Sequence, residues 1–257
     1  MGNYLAEFSD EEFSAKFVAQ LKAMLLSPYL APHDTPQAVL LGGQSGAGKT
    51  ALHDVFNEVF ADDVIVINGD EYRKLHPRFA ALQSAYGDKA VDYTAAWAGA
   101  MTEALIESLS SAGYNLVIEG TLRTAEVPLA SAALLRERGY GVSLALMAVK
   151  PEISLVSCQL RYEQMRLAGT TPRATDPAHH RKIVEQIVSN LGVLEDSGMF
   201  DEIYLYNRSR ACLYPQEGVD ARASQVLEDV LFGDWSQEEL RHYGTLKAEL
   251  ARLQDAR

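Results

Sequence analysis

The chain has 257 residues, 47% apolar and 23% charged, with a net charge of −12 from 23 basic and 35 acidic side chains. That length suffices for one sizeable core, read as a single domain over 1–257, and the acidic balance argues against nucleic acid as a partner, because phosphate contacts need a basic face. The acidic opening MGNYLAEFSDEEF has no signal-peptide core and no run of about 18 apolar residues occurs, so neither secretion nor a membrane span is expected and a cytoplasmic location follows.

From the start, Ser9 to Leu26 carries a capping pattern at Ser9/Asp10 and apolar residues at helical spacing: Phe13, Phe17, Leu21 and Leu25. Either its apolar face packs on the chain's own core or it offers a docking strip to a partner. A proline-bearing loop from Ser27 to Pro36 leads into QAVLLGG, a short apolar run with the look of a buried parallel strand. The alternation then repeats. Helical spacing over 48–60 is followed by the strand VIVING (64–69), and over 91–112 by NLVIEG (115–120). A helix over 126–138 precedes VSLALMAV (142–149), and two helices over 152–167 and 177–197 precede EIYLYN (202–207). Helices near 223–232 and 236–254 end the pattern. Such alternation predicts an α/β fold: a parallel five-stranded sheet with helices on both faces. The segment GTTPRATDP, Gly169 to Pro177, is the most loop-like interior stretch and would suit a mobile lid. Cys158 and Cys212 stand far apart, outside any CxxC pair, and read as packing or surface thiols.

The most informative motif is GQSGAGKT, with Gly43, Gln44, Ser45, Gly46, Ala47, Gly48, Lys49 and Thr50. It fits the P-loop pattern at every fixed position and lies between a buried strand and a helix start, where the mechanism needs it. Glycines let the backbone wrap a phosphate, and amide N–H groups at a helix N-terminus supply donors. Lys49 would bridge the β- and γ-phosphates of ATP, and Thr50 would join the shell of a Mg²⁺ ion. The guanine-reading NKxD and the DxxG switch of GTPases are both absent from the sequence, and NLVIEG ends in the single Glu119 rather than the acidic pair common in motor ATPases.

Asp70 follows the second strand in VIVINGDEYR. In open parallel sheets ligands sit at the carboxyl ends of strands, so Asp70 belongs beside the P-loop, where it can take the proton of an attacking hydroxyl; it also fits the N-cap of a helix. Arg73 and His76 follow at helical spacing and are candidates to flank the acceptor. Glu119, Thr121 and Arg123 alternate in IEGTLRT and share one side if the extended run continues, or they form an ordinary strand-to-helix turn. Arg161 and Arg173 are candidate cations over the γ-phosphate, or solvated surface residues. His179 and His180, about 100° apart on a helix, read as surface residues rather than a metal site. Trp97 and Trp235 read as packing residues. A kinase for a hydroxyl acceptor is the reading these residues favour; a nucleotide-dependent binding protein without turnover is the rival from another class.

Together LLGGQSGAGKT, INGDEYRKLHP, YNLVIEGTLRT, the KPE after the fourth strand, LRYE, PRAT with its following HH, and LFGDWSQ resemble the zeta-toxin family, most closely its PezT branch. The resemblance implies a P-loop kinase fold with strand order 2-3-1-4-5, and transfer of the ATP γ-phosphate to the sugar 3′-hydroxyl of UDP-N-acetylglucosamine, which withdraws that precursor from peptidoglycan synthesis. It implies phosphate binding by Lys49, a base at Asp70, nucleotide-sugar contacts at Glu119, Thr121 and Arg123, a further sugar contact at Glu103, and ATP-facing arginines at Arg161 and Arg173. It also implies a cognate antitoxin covering the ATP site. Two positions depart from the family's pattern: Asn68, where an aspartate is expected, and Ala51, where a second hydroxyl residue is common.

Overall fold

Side chains along QAVLLG, IVIN, LVIE and GVSLALM are apolar on both sides of the pleat, which only a sheet covered on both faces can accommodate. The structure, a computed structural model describing residues 4–218 and 220–255, forms that sheet. Its strands are β1 (Gln37–Gly42), β2 (Ile65–Asn68), β3 (Leu116–Glu119), β4 (Gly141–Met147), β5 (Glu202–Tyr206) and β6 (Cys212–Tyr214). The order is β2-β3-β1-β4-β5-β6. The first five strands are parallel and in the expected order. The expected strand count is corrected from five to six: β6 turns back and pairs antiparallel with β5 through Leu205–Tyr214 and Tyr206–Cys212. Three residues are too few for an alternating pattern to stand out in a sequence.

One face is covered by α1 (Asp10–Met24), α6 (Ala95–Ser111), α7 (Glu126–Glu137), α9 (Pro177–Asp196) and α10 (Ala223–Phe232). The other is covered by α2 (Thr50–Val59) and α8 (Pro151–Leu167), with α11 (Gln237–Asp255) packed on α8. The period-2 alternation of β1 feeds both cores: Ala38 and Leu40 join the first, Val39 and Leu41 the second. Helix α1 starts with the expected capping box, Ser9 and Glu12 each accepting the other's backbone N–H. Phe13, Phe17 and Leu21 pack on the chain's own core; the rings of Phe8 and Phe13 meet the edge of fully buried Trp97 at 5.0 and 5.4 Å. That strip is therefore partly covered by the chain itself, while Leu25 at its end stays exposed.

The stretch between β2 and α6 reads poorly in sequence and folds into short pieces: α3 (Gly69–Tyr72), a 3₁₀ turn Arg73–Leu75, α4 (Phe79–Tyr86) and α5 (Ala90–Tyr93). It is held from inside, Trp97 Nε1 donating to Tyr72 O at 3.1 Å. Among the described residues no helix is long and apolar enough to cross a membrane.

Candidate functional site

Three strand ends meet at one point. Register pairs Leu41 with Glu119 and Glu119 with Asn68, so whatever follows β1, β2 and β3 is presented together. After β1 comes the loop 43–49, and then α2 begins at Thr50. The loop is drawn tightly onto α8. A Cβ at Gly46 would lie 2.0 Å from Ser154 O and 2.6 Å from Cys158 Sγ, so only glycine permits this approach. Buried Gln44 ties the loop to the start of the same helix, its amide donating to Val149 O at 2.8 Å and Ser154 Oγ at 3.3 Å.

Lys49, 9% exposed, folds back over the loop: its ammonium donates to Gly43 O at 2.9 Å and Gln44 O at 3.5 Å and lies 3.8 Å from Glu119 Oε1. Burial pushes its pKa down, while the charges of Glu119 and Asp70 oppose that shift and that of Arg161 adds to it. The ammonium is thus satisfied by carbonyl oxygens that a phosphate's oxygens could replace with fuller charge complementarity. A nucleotide triphosphate fits the cradle on these grounds. Mg²⁺ fits as well. Among the described residues no three His, Cys, Asp or Glu side chains form a cage. Thr50 is exposed at the start of α2, and its hydroxyl is a donor of the kind taken by an ion that completes its shell with phosphate and water.

Asp70 is not a helix cap. Asn68 fills that role, its Oδ1 accepting the N–H of Asp70 at 3.1 Å. The Asp70 side chain, 61% exposed, pairs with Arg73 Nε at 3.0 Å. Arg73 is held in turn by Val91 O and Thr94 Oγ1, at 2.7 and 3.3 Å. The Asn68 departure also acquires a physical meaning: its Nδ2 donates to Glu119 Oε2 at 3.1 Å, where an aspartate would set two carboxylates against each other.

Asp70, Arg73, Glu103, Glu119, Thr121 and Arg123 all line one cavity of about 740 Å³, which Ser45 and Lys49 also enter. The extended run after β3 does not continue: Leu122 has φ +55°. Thr121 and Arg123 reach the cavity through a turn rather than a straight strand.

Two expectations about position are corrected. His76 does not flank an acceptor; it is 3% exposed, bonded to Ala6 O and packed against the edges of Phe8 and Trp97. His180 is not a surface residue; it is 3% exposed and hydrogen-bonded to Ser154 Oγ at 2.8 Å, with burial depressing its pKa. In the loop-like stretch Gly169 to Pro177, Arg173 forms an ion pair with Glu71, next to Asp70. Arg173 and Arg161 lie outside the cavity lining; Arg161 is exposed on α8, near enough for its charge to act on Lys49.

Two side chains escaped the sequence reading. His53, one turn into α2, donates to Glu119 Oε2 at 2.8 Å. Arg208, after β5, donates to the loop carbonyls of Gly46 and Ala47. A helix-facing His three residues after the P-loop threonine was a weak signal for the first; nothing local marked the second.

Comparison with known proteins adds a finding to this geometry. The family model "Zeta toxin" matches residues 24–218. Toxin PezT of Streptococcus pneumoniae is 42% identical over 91% of this chain and 92% of its own length, and toxin zeta of Streptococcus pyogenes 37% identical over 82% and 73%. A solved structure from the PezAT chromosomal toxin-antitoxin system of Streptococcus pneumoniae superposes with a TM-score of 0.89 at 38% identity, covering 98% of this chain and all of that one. The chain belongs to the zeta-toxin family.

Proposed function

We propose that this member of the zeta-toxin family is a kinase that moves the γ-phosphate of ATP to the sugar 3′-hydroxyl of UDP-N-acetylglucosamine. The observation that carries the reading is the cavity lined by both the P-loop lysine and an exposed carboxylate, Asp70. A binding module needs the first of these; phosphoryl transfer needs both.

Lys49 leaves the carbonyls of Gly43 and Gln44 for the phosphates. Asp70 accepts the proton of the acceptor hydroxyl, with Arg73 orienting its carboxylate. Glu119, Thr121, Arg123 and Glu103 hold the nucleotide sugar along the cavity wall. Arg161 and Arg173 approach the transferring group from α8 and the loop behind it, Arg173 leaving Glu71 to do so. Mg²⁺, when bound beside Thr50, supplies charge neutralisation on the phosphate oxygens.

The test is incubation of the protein with Mg-ATP and, separately, UDP-N-acetylglucosamine, other UDP-sugars, nucleosides and hydroxyl-bearing antibiotics, reading which gains a phosphate by mass. A phosphate on UDP-N-acetylglucosamine supports the assignment; a phosphate on another compound alone replaces the acceptor; none at all returns the chain to the binding-module reading.

The structural relative from a toxin-antitoxin system supports a further part of the proposal: the chain acts as a toxin and is restrained by an antitoxin that covers the P-loop mouth. An acidic helical segment would suit a cradle built to receive phosphate. Measuring ATP affinity for the free chain and for its complex decides this, since equal affinities exclude a block at the ATP site.

A further inference from the structure

In the P-loop the orientation of the peptides around Ala47 is left to their hydrogen-bond partners, because glycine sits on both sides of it. Ala47 is flanked by Gly46 at φ +78° and Gly48 at φ +99°, positions where no Cβ of the residue itself fixes how the neighbouring peptide turns. A flipped peptide would place a carbonyl oxygen where an anion needs an N–H. Something outside the loop must choose the orientation.

We infer that Arg208 is a positioning residue of the nucleotide site, clamping two P-loop peptides so that their carbonyls face outward. The inference rests on the reading that the loop binds a nucleotide. Arg208 Nη2 donates to Gly46 O at 2.7 Å and Nε to Ala47 O at 3.3 Å. In a trans peptide the C=O and N–H point in opposite directions. Holding Ala47 O toward Arg208 therefore aims the N–H of Gly48 away from it, into the cradle; holding Gly46 O directs the N–H of Ala47 into the turn it makes with Gln44 O at 3.1 Å. One planar guanidinium reaches both carbonyls, which a lysine ammonium on a single stem cannot do in the same geometry.

The surroundings of Arg208 indicate a ligand of negative charge. It makes no ion pair with any described carboxylate. Its remaining contact is His242 Nε2 on α11, 3.0 Å from Nη1. A half-buried cation whose described hydrogen-bond partners are two carbonyls and an imidazole gains from an anion brought near it, and it lies 3.5 Å from the place a Cβ would occupy on Gly48. A nucleotide's polyphosphate in the cradle supplies that anion. Arg208 is brought there by a tight turn in which Asn207 Oδ1 accepts the N–H groups of Ser209 and Ala211.

The experiment measures the dissociation constant of Mg-ATP by calorimetry for wild type, Arg208→Ala, Arg208→Lys and Lys49→Ala, with melting curves of the nucleotide-free proteins. Arg208→Ala should bind Mg-ATP at least about 10-fold more weakly, the scale of lost charge-assisted hydrogen bonds, and Arg208→Lys should fall between it and wild type. The melting temperature without nucleotide should stay within about 3 °C, because neutral carbonyls at the surface of the loop can turn to water. Wild-type affinity in Arg208→Ala overturns the inference, as does a weakened affinity fully matched by loss of the folded fraction. If Arg208→Ala does not fold, wild-type affinity in folded Arg208→Lys overturns it equally. Failure of the wild type itself to bind Mg-ATP removes the nucleotide reading instead, and Lys49→Ala calibrates that arm.

Discussion

The Lys49 ammonium lies 3.8 Å from Glu119 Oε1, joining the P-loop to the end of β3. The other oxygen of that carboxylate is taken by His53 and Asn68. The lysine therefore has a partner in the free protein, but a long one, and its closer contacts are neutral carbonyls. Lys49→Ala should weaken Mg-ATP binding by roughly 10- to 100-fold, the worth of hydrogen bonds to a charged group, and abolish measurable turnover. Calorimetry and a phosphate-transfer assay on the same preparation check both.

Asp70 is exposed, uncapped and aimed by Arg73. Asp70→Asn keeps its shape and removes its basicity. The variant should retain Mg-ATP affinity and lose about 10²- to 10⁴-fold in kcat. Turnover close to wild type would take Asp70 out of the chemistry.

Arg173 is paired with Glu71. If it moves to the transferring phosphate, Arg173→Ala and Arg161→Ala should lower kcat by more than they raise KM for the sugar nucleotide. Glu71→Gln should ease the release of Arg173 and lower KM for ATP. A change confined to the sugar's KM would place the arginines at the acceptor instead.

Three histidines are held below their ordinary pKa chiefly by burial: His76, His180 and His242. Each binds a proton less readily folded than unfolded. Between the folded value and the usual value of about 6.5 the unfolded chain carries more protons, so stability is present above that range and falls as pH drops through it. The urea midpoint should be lower at pH 5.5 than at pH 7.5. His180→Gln should shrink that difference, since it removes one of the buried titrating groups. An unchanged difference would assign the acid sensitivity to other residues.

Much of the architecture was legible from the chain alone. The runs around Val39, Ile67, Val117 and Leu144 are apolar at successive positions, a pattern a doubly covered strand demands, and the expected helices begin and end within a few residues of those observed. The tract from Gly69 to Tyr93 was not legible, because its helices are too short to show a period and are held by Trp97 and Arg73 rather than by their own sequence. Strand β6 escaped for the same reason of length.

Spacing and residue type singled out the loop 43–50, Asp70 and the Glu119/Thr121/Arg123 set, and the structure places Ser45 and Lys49 of the loop on one cavity with the other four. They lie at strand ends or in a loop whose backbone demands are written in glycines, so local sequence carries their signal. The burial of His76 and His180, the His53–Glu119 contact and the reach of Arg208 to Gly46 were decided only by the tertiary structure. Arg208 and Gly46 are 162 residues apart. What joins them is parallel pairing, which brings β1, β4 and β5 side by side and stacks the turns at their carboxyl ends; no periodicity or motif within either segment encodes that neighbour.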